Sequence, residues 1–314
     1  MTFAAKLKAV LYGIDAPEGP LAAITEGELS RQDGLRRYLL ALPSQPPSAK
    51  RPLLIMLHGG GASAAQVMGQ AFPPSPLSVW REIAEREQWV VVAPEGAGGK
   101  GWNDGFADTR LKPAHDDVGF VSDLIDLCLA RHQVDADRVY VIGVSRGGML
   151  AYRLAAELGE RLAAFAAVLA SMPVHAEYAA PSRPLPALIV ASSADPFIPY
   201  GGGKRWYIPV GAMLGAEASA ARWRELAGLV GEPQREVIGE ASGKTRATRF
   251  SWGKHANQPQ LVLIKVEGAG HTEPSRRKRY PAWMRCLIGA QNADFELAEE
   301  AWAFFHDKRR GCAD

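Results

Sequence analysis

At 314 residues, 47% hydrophobic and 22% charged, the chain has enough apolar material for a sizeable core and falls outside the disordered class. A net charge of +2 gives no electrostatic case for nucleic acid or an anionic membrane as the principal partner. Three cysteines, Cys128, Cys286 and Cys312, cannot pair into a framework, and their spacing matches no zinc or redox motif.

The segment 1–14 carries lysines but no apolar block long enough for a secretory signal, and no later run reaches membrane-spanning length. A cytoplasmic location without membrane contact is therefore expected. The length suits a single large α/β domain over 1–314, with a lead-in over 1–33 and an insertion-bearing region over 196–260.

Residues 1–30 are weakly patterned and read as a short helix with an extended lead-in. Gly34 to Leu42 reads as a strand ended by Pro43, and 44–50 as a loop. Pro52 to Leu57 is a continuous apolar run of the kind buried in parallel sheets, and it delivers His58-Gly59-Gly60-Gly61. Trp80 to Gln88 is helical by period, and Trp89 to Pro94 is the next buried strand. A glycine-rich loop, 96–105, follows it. Asp116-Asp117 caps a helix whose apolar face holds Val118, Val121, Leu124, Ile125 and Cys128.

The next stretch organises the rest. Val139 to Val144 is β-branched like a buried strand, and the chain from Met149 onward is rich in Ala and Leu, so Gly143-Val144-Ser145-Arg146-Gly147 must turn a strand into a helix. Gly-x-Ser-x-Gly in that setting is the nucleophile elbow, whose flanking glycines admit a sharp, crowded turn. The hydroxyl of Ser145 then stands at a helix N-terminus, where free N–H groups favour developing negative charge.

Phe165 to Ala170 and Pro186 to Ala191 are two more buried strands, the second delivering Asp195-Pro196. Residues 211–229 are helical by period, Arg246 to Trp252 reads as a short edge strand, and Gln260 to Val266 is the last central strand, delivering Gly268-Ala-Gly-His271. A final helix covers Asp294 to Asp307. Alternation of strand and helix predicts a mostly parallel central sheet with helices on both faces.

Ligands of such sheets bind at the carboxyl ends of the strands, where four groups gather: the His58 glycine loop, Ser145, Asp195 and His271. Their order is that of the α/β-hydrolase triad. Ser145 is the candidate nucleophile, His271 its base, and Asp195 the acid that orients the imidazole. The backbone N–H groups of Arg146 and Gly60 are the candidate oxyanion donors, with Gly59 and Gly61 beside the substrate.

Rival readings exist for each. Asp195 could be a turn starter, with Asp104, Asp116 and Asp117 as competing acids, and His115, His175 and His255 compete with His271. His58 fits a structural histidine bonded to loop backbone better than a catalyst. Trp102, Asn103 and Asp104 either line the substrate pocket or pack under their loop. Arg276 to Arg279 is either a solvated charge run or a cationic rim favouring a substrate carboxylate. Trp206 and Tyr207 either wall the cleft or fold back.

Taken together, His58-Gly-Gly-Gly, Gly101-Trp-Asn-Asp-Gly105, Asp116-Asp-Val-Gly-Phe120, Arg138 to Met149 and Gly268-Ala-Gly-His-Thr272 resemble the polyhydroxybutyrate depolymerase and feruloyl esterase group of α/β-hydrolases, from about Gly34 to the last helix. The resemblance implies an α/β-hydrolase fold and hydrolysis of a carboxylic ester by the triad above, with no metal and no cofactor; the alternatives are a serine peptidase of the same fold and a non-catalytic binding protein on a hydrolase scaffold. Expected substrates are small or oligomeric esters such as hydroxyalkanoate oligomers or feruloyl and acetyl esters. Two stretches, 231–260 and 274–284, depart from the group's common pattern, which bears on specificity.

Overall fold

The computed structural model describes residues 17–99, 101–109, 115–181, 183–239, 243–253 and 260–311. The segment 1–14, His255 and Cys312 lie outside the described residues.

Among the described residues, ten strands form a single sheet: β1 (Ala23–Arg31), β2 (Gly34–Leu42), β3 (Arg51–Leu57), β4 (Val90–Pro94), β5 (Val134–Val144), β6 (Ala164–Val168), β7 (Ala187–Ser192), β8 (Gln234–Ile238), β9 (Arg246–Trp252) and β10 (Leu261–Glu267), in the order β1-β2-β4-β3-β5-β6-β7-β10-β9-β8. The six central strands, β4 to β10 in that order, run parallel. Two antiparallel strands flank them on each side. Helices α1 (Ala64–Val67), α2 (Trp80–Glu87), α3 (Asp117–Arg131), α4 (Arg146–Glu157), α5 (Ala216–Leu226), α6 (Ala282–Ile288) and α7 (Leu297–Phe305) complete the fold.

The two-residue period of the strands divides the core between the faces. Leu53, Ile55, Leu57, Val139 and Val141 join the cluster under α3, α4 and α5, where Phe120, Leu124, Leu150 and Trp223 are buried. Leu54, Met56, Tyr140 and Ile142 point the other way, toward Trp80, Ile83, Ala301 and Phe305 of α2 and α7. Each such aliphatic side chain, removed fully from water, contributes roughly 1.5–3 kcal/mol before its ordering entropy is counted.

The lead-in is extended over its second half, as expected: Ala23–Arg31 pairs antiparallel with β2, and its alternating exposed and half-buried residues suit a strand with one face in water. Two expectations are corrected. Arg246–Trp252 is not the edge, because β8 pairs outside it. The helix expected over 211–229 is shorter, Ala216–Leu226, since Gly215 in extended backbone forms its N-cap.

Because the central strands are parallel, the loops that leave β3, β5, β7 and β10 emerge at one edge. His58, Ser145, Asp195 and His271 all lie within four residues of those strand ends.

Candidate active site

Crossing from β5 into α4 within one residue forces Ser145 to φ 54° and ψ −120°. A non-glycine residue there carries strain of roughly 1–3 kcal/mol. Two hydrogen bonds hold it: Ser145 N–H donates to the Val168 carbonyl at 2.8 Å, and the Ser145 carbonyl accepts from Met149 N–H at 3.0 Å. The flanking glycines are required by backbone contact. A Cβ on Gly143 would fall into the Gly147 carbonyl, and one on Gly147 into the carbonyls of Leu57 and His58. The pentapeptide thus locks β5, α4 and the end of β3 together.

Beyond β7, the Asp195 side chain does two jobs at once. One carboxylate oxygen accepts from the Phe197 and Ile198 amides at 2.8 and 2.9 Å, which makes the turn. The other accepts from His271 Nδ1 at 2.6 Å. With Nδ1 donating, Nε2 carries the lone pair and is available as a base. The acid is almost fully buried, whereas the imidazole is partly open.

The loops bearing these two groups are tied together. Ala194 N–H donates to the Ala269 carbonyl at 3.0 Å and Gly268 N–H to Ser193 Oγ at 2.9 Å. His271 N–H donates to the Ile288 carbonyl at 2.6 Å, and a Cβ on Gly270 would collide with that same carbonyl. Phe197 meets the imidazole edge-on, with ring centroids 5.1 Å apart.

A pocket of about 230 Å³ has Ser145, His271, Gly59 and Gly60 in its wall. Val67, Pro73, Phe197, Met284 and Ile288 supply its apolar lining, and Gln66, Ser75, Glu273 and Tyr280 its polar groups. Sequence reasoning missed Ser75, Glu273 and Tyr280. Glu273 stands two residues past His271, a position that could have been singled out; Ser75 offers no signal, since it is placed by capping a 3₁₀ turn at Leu77 N–H.

Other expected residues fall elsewhere. Trp102 is fully buried in the core under its loop, donating from Nε1 to the His58 carbonyl at 2.8 Å. Asp104 pairs with Arg146 at 2.9 Å, and Arg146 also donates to the Trp102 carbonyl at 2.7 Å. Asn103 donates from its backbone to Asp117 at 2.6 Å. None of the three is in the wall of that pocket: Trp102 and Asp104 are buried beside the elbow, bonded to the His58 carbonyl and to Arg146, and Asn103 is bonded to Asp117. Burial pushes the Asp104 carboxyl above the ordinary range, against the pull of the Arg146 guanidinium. Gly61 is likewise outside the wall, exposed, at φ +73° with open space around it.

His58 is structural. Gly96 N–H donates to its Nε2 at 3.0 Å, which leaves Nδ1 protonated toward the Gly59 carbonyl at 2.8 Å. Among the rival acids, Asp116 caps α3 through Gly119 N–H at 2.9 Å, and Asp117 pairs with Arg36. His175 is exposed, and His115 lies 3.6 Å from Asp33.

The basic run is neither a solvated face nor a cationic rim. Arg277 binds both oxygens of Glu82 on α2 at 2.6 Å, Arg279 donates to the carbonyls of Ser275, Gln291 and Asn292, and Lys278 is buried. Only Arg276 is exposed, and its Nε still donates to the Asp294 carbonyl at 3.0 Å. Trp206 is 82% exposed and Tyr207 donates to the Pro196 carbonyl at 2.6 Å; neither is in the pocket wall. Among the described residues, no group of three or more His, Cys, Asp or Glu could hold a metal ion, and no helix is long and apolar enough to cross a membrane.

Comparison with known proteins follows the same lines. The family model described as the prolyl oligopeptidase family matches residues 80–187. "Putative esterase NocK" of Nocardia uniformis subsp. tsuyamanensis is 31% identical over 309 residues, covering 90% of this chain and 83% of that protein. Feruloyl esterase B of Piromyces equi is 28% identical over 248 residues, or 76% of this chain, but the match spans only 43% of that protein's length. In structure, the acetyl xylan esterase from Aspergillus awamori superposes with a TM-score of 0.59 over 90% of this chain and 99% of that one, at 13% identity. At that identity the likeness is one of fold.

Proposed function

The chain belongs to the esterases of the α/β-hydrolase fold, serine carboxylic-ester hydrolases, and on that premise we propose that Ser145, His271 and Asp195 are its catalytic triad. The observation that carries this reading is the 2.6 Å bond from His271 Nδ1 to Asp195, with Ser145 and His271 in the wall of one pocket.

His271 Nε2 takes the Ser145 proton as Oγ attacks the ester carbonyl carbon. The resulting oxyanion is held by the N–H of Arg146, in the first turn of α4 where amides lack helical partners, and by that of Gly60. Collapse breaks the bond to the alcohol oxygen, which leaves with the proton from His271 as the acyl group stays on Ser145. Water, deprotonated by His271, then attacks the acyl-enzyme and releases the acid, restoring the hydroxyl. Asp195 holds the imidazole in the required tautomer and stabilises its cation in both halves.

The substrate is a small ester, or the end of an oligomer. A cavity of about 230 Å³ is below the roughly 300–1,000 Å³ of pockets that enclose drug-sized ligands, so one short limb of the ester fits inside and the other extends outward. Acetyl and short hydroxyalkanoyl groups meet that limit; a feruloyl group would have to lie at the mouth.

Labelling with a fluorophosphonate tests the assignment. The wild type takes one label, and Ser145→Ala and His271→Ala take none while losing kcat by on the order of 10⁴ to 10⁶. Stoichiometric labelling of Ser145→Ala at the wild-type rate would remove Ser145 from the mechanism. A panel of esters varied separately in acyl length and alcohol then fixes specificity.

A serine peptidase is the second reading, favoured by the prolyl oligopeptidase match. That match contains Ser145 but ends before Asp195 and His271. Turnover of peptide amides at rates comparable with aryl esters would select it.

A further inference from the structure

The polar side of the pocket contains a carboxyl group that the mechanism does not use. Glu273 is 4% exposed and stands in the same wall as Ser145 and His271. Its two oxygens each accept one neutral hydroxyl, Oε1 from Ser75 Oγ at 2.8 Å and Oε2 from Tyr280 Oη at 2.7 Å. Burial, and then the neighbouring carboxylate, hold the Tyr280 phenol well above its ordinary range, so it stays a donor.

Those two bonds leave the carboxylate incompletely served. It offers about four lone-pair positions, of which two are filled. Among the described residues no Lys or Arg forms an ion pair with it, in contrast to the buried Glu82, which Arg277 grips with both oxygens. A buried charge without a counter-charge is expensive to keep, and hydroxyl donors offset only part of that cost. Glu273 is nevertheless placed deliberately: Tyr280 is fixed by its own N–H donating to Gln291 at 2.8 Å, and Gln291 reaches back to the Glu273 carbonyl at 2.8 Å.

We propose that Glu273 is a specificity-determining residue whose partner is an ammonium group on the short limb of the ester. The proposal rests on the esterase reading above. A neutral hydroxyl would fill a lone pair but leave the charge unmatched, whereas an ammonium supplies both donor and counter-charge to a carboxylate that is itself only 4% exposed. Glu273 lines the same pocket as Ser145 and His271, so the ammonium belongs to the limb of the ester that this pocket holds. Ser75 and Tyr280 hold the carboxylate still, so binding orders little that was free beforehand.

Isosteric ester sets test this. Methyl 3-aminopropanoate, methyl 3-hydroxypropanoate and methyl butanoate place ammonium, hydroxyl or methyl on the acyl limb. Aminoethyl, hydroxyethyl and propyl acetate do so on the alcohol limb. In one set the wild type should prefer the ammonium member over the methyl member by on the order of tenfold to hundredfold in kcat/KM, and over the hydroxyl member as well. Glu273→Gln keeps the size and removes the charge, and the ratio between ammonium and methyl members should collapse toward one. Ratios within one variant cancel any general loss of activity.

Should that variant fail to fold, inhibition of the wild type by propylammonium against propanol reads the same charge, with the cation expected to bind about tenfold tighter or better. Equal use of ammonium and methyl members in both sets, equal use of hydroxyl and ammonium members, or an unchanged ratio in Glu273→Gln each overturns the proposal. If propyl acetate is hydrolysed and Ser145 is labelled in those same samples, the esterase reading survives. If the wild type does neither, that reading is what has failed.

Discussion

His271 Nδ1 and Asp195 Oδ2 lie 2.6 Å apart across 76 residues of chain, and the other oxygen of the same carboxylate is held by the amides of Phe197 and Ile198. The turn that an Asp-Pro sequence initiates and the orientation of a base are therefore one structure. Asp195→Asn keeps an oxygen for the amides but can present an NH₂ to Nδ1, which drives the imidazole to the tautomer whose Nε2 carries the proton. We expect kcat to fall by on the order of 10⁴ with little change in melting temperature. Steady-state kinetics beside a thermal melt decide it, and a rate within about tenfold of wild type would mean the acid is misassigned.

Ser145 occupies its φ of 54° because the crossing demands it, and the cost falls on any residue with a Cβ. Two inactive variants separate strain from chemistry. Ser145→Gly relieves the backbone and Ser145→Ala does not, so the glycine variant should be the more stable of the two by about 1 kcal/mol in urea unfolding. The unfolded state of glycine is more disordered, which works against this difference, so an observed gain is a lower bound on the strain. An alanine variant more stable than the glycine one by the ordinary glycine penalty, about 0.5–1 kcal/mol, would show that the elbow is relaxed.

The sequence was readable where backbone geometry leaves few options. Gly143 and Gly147 are fixed by carbonyls a Cβ would strike, and the apolar runs of β3, β4, β6 and β7 are fixed by burial on both faces. It was unreadable where an element is held by its neighbours. β8, Gln-Arg-Glu-Val-Ile, has almost no buried residue and exists by pairing with β9. Trp102 could not be placed from the sequence, since a ring beside glycines suits a pocket wall or a buried prop equally, and only the bond to the His58 carbonyl distinguishes them. The Arg276 to Arg279 run misled because charge suggests solvent, whereas carbonyls and Glu82 from distant segments take up those donors.

Arg146 follows Ser145, and its side chain packs against Gly60 while Asp104 holds its guanidinium. The pair is almost fully buried, with 9% and 1% of the side chains exposed. Removing one partner from such a pair leaves a charge without compensation, typically a loss of about 3–5 kcal/mol. Asp104→Ala should therefore lower stability far more than Asp104→Asn, which keeps an acceptor. Loosening Gly60 should also reduce kcat if the proposed oxyanion donors, the N–H groups of Gly60 and Arg146, move with it. Chemical denaturation of both variants measures the first effect; equal losses would show that the acceptor kept by asparagine is immaterial and that the lost charge of Asp104 carries the whole effect.

Cys128 gives a pH dependence with a definite sign. It is buried on the core face of α3, and burial raises its thiol from 9.0 to about 12, whereas Cys286 on α6 is exposed. In the unfolded chain the thiol ionises near 9.0; in the folded chain it holds its proton up to about 12. Between those limits the unfolded state binds fewer protons, so stability falls as pH rises, by up to about 1.4 kcal/mol per pH unit for one group. Below 9.0 the thiol is protonated in both states and contributes no slope. Tyr140, pushed up to about 12 by burial, acts in the same sense but from higher up, starting at its ordinary value of 10.0. Cys128→Ala removes the thiol term alone: the cavity it leaves lowers stability by a constant amount, and the alkaline slope becomes shallower by about one proton. Urea unfolding at a series of pH values on both sides of 9.0 reads that slope directly. Parallel curves for the two proteins would mean that the Cys128 thiolate forms as readily in the fold as outside it.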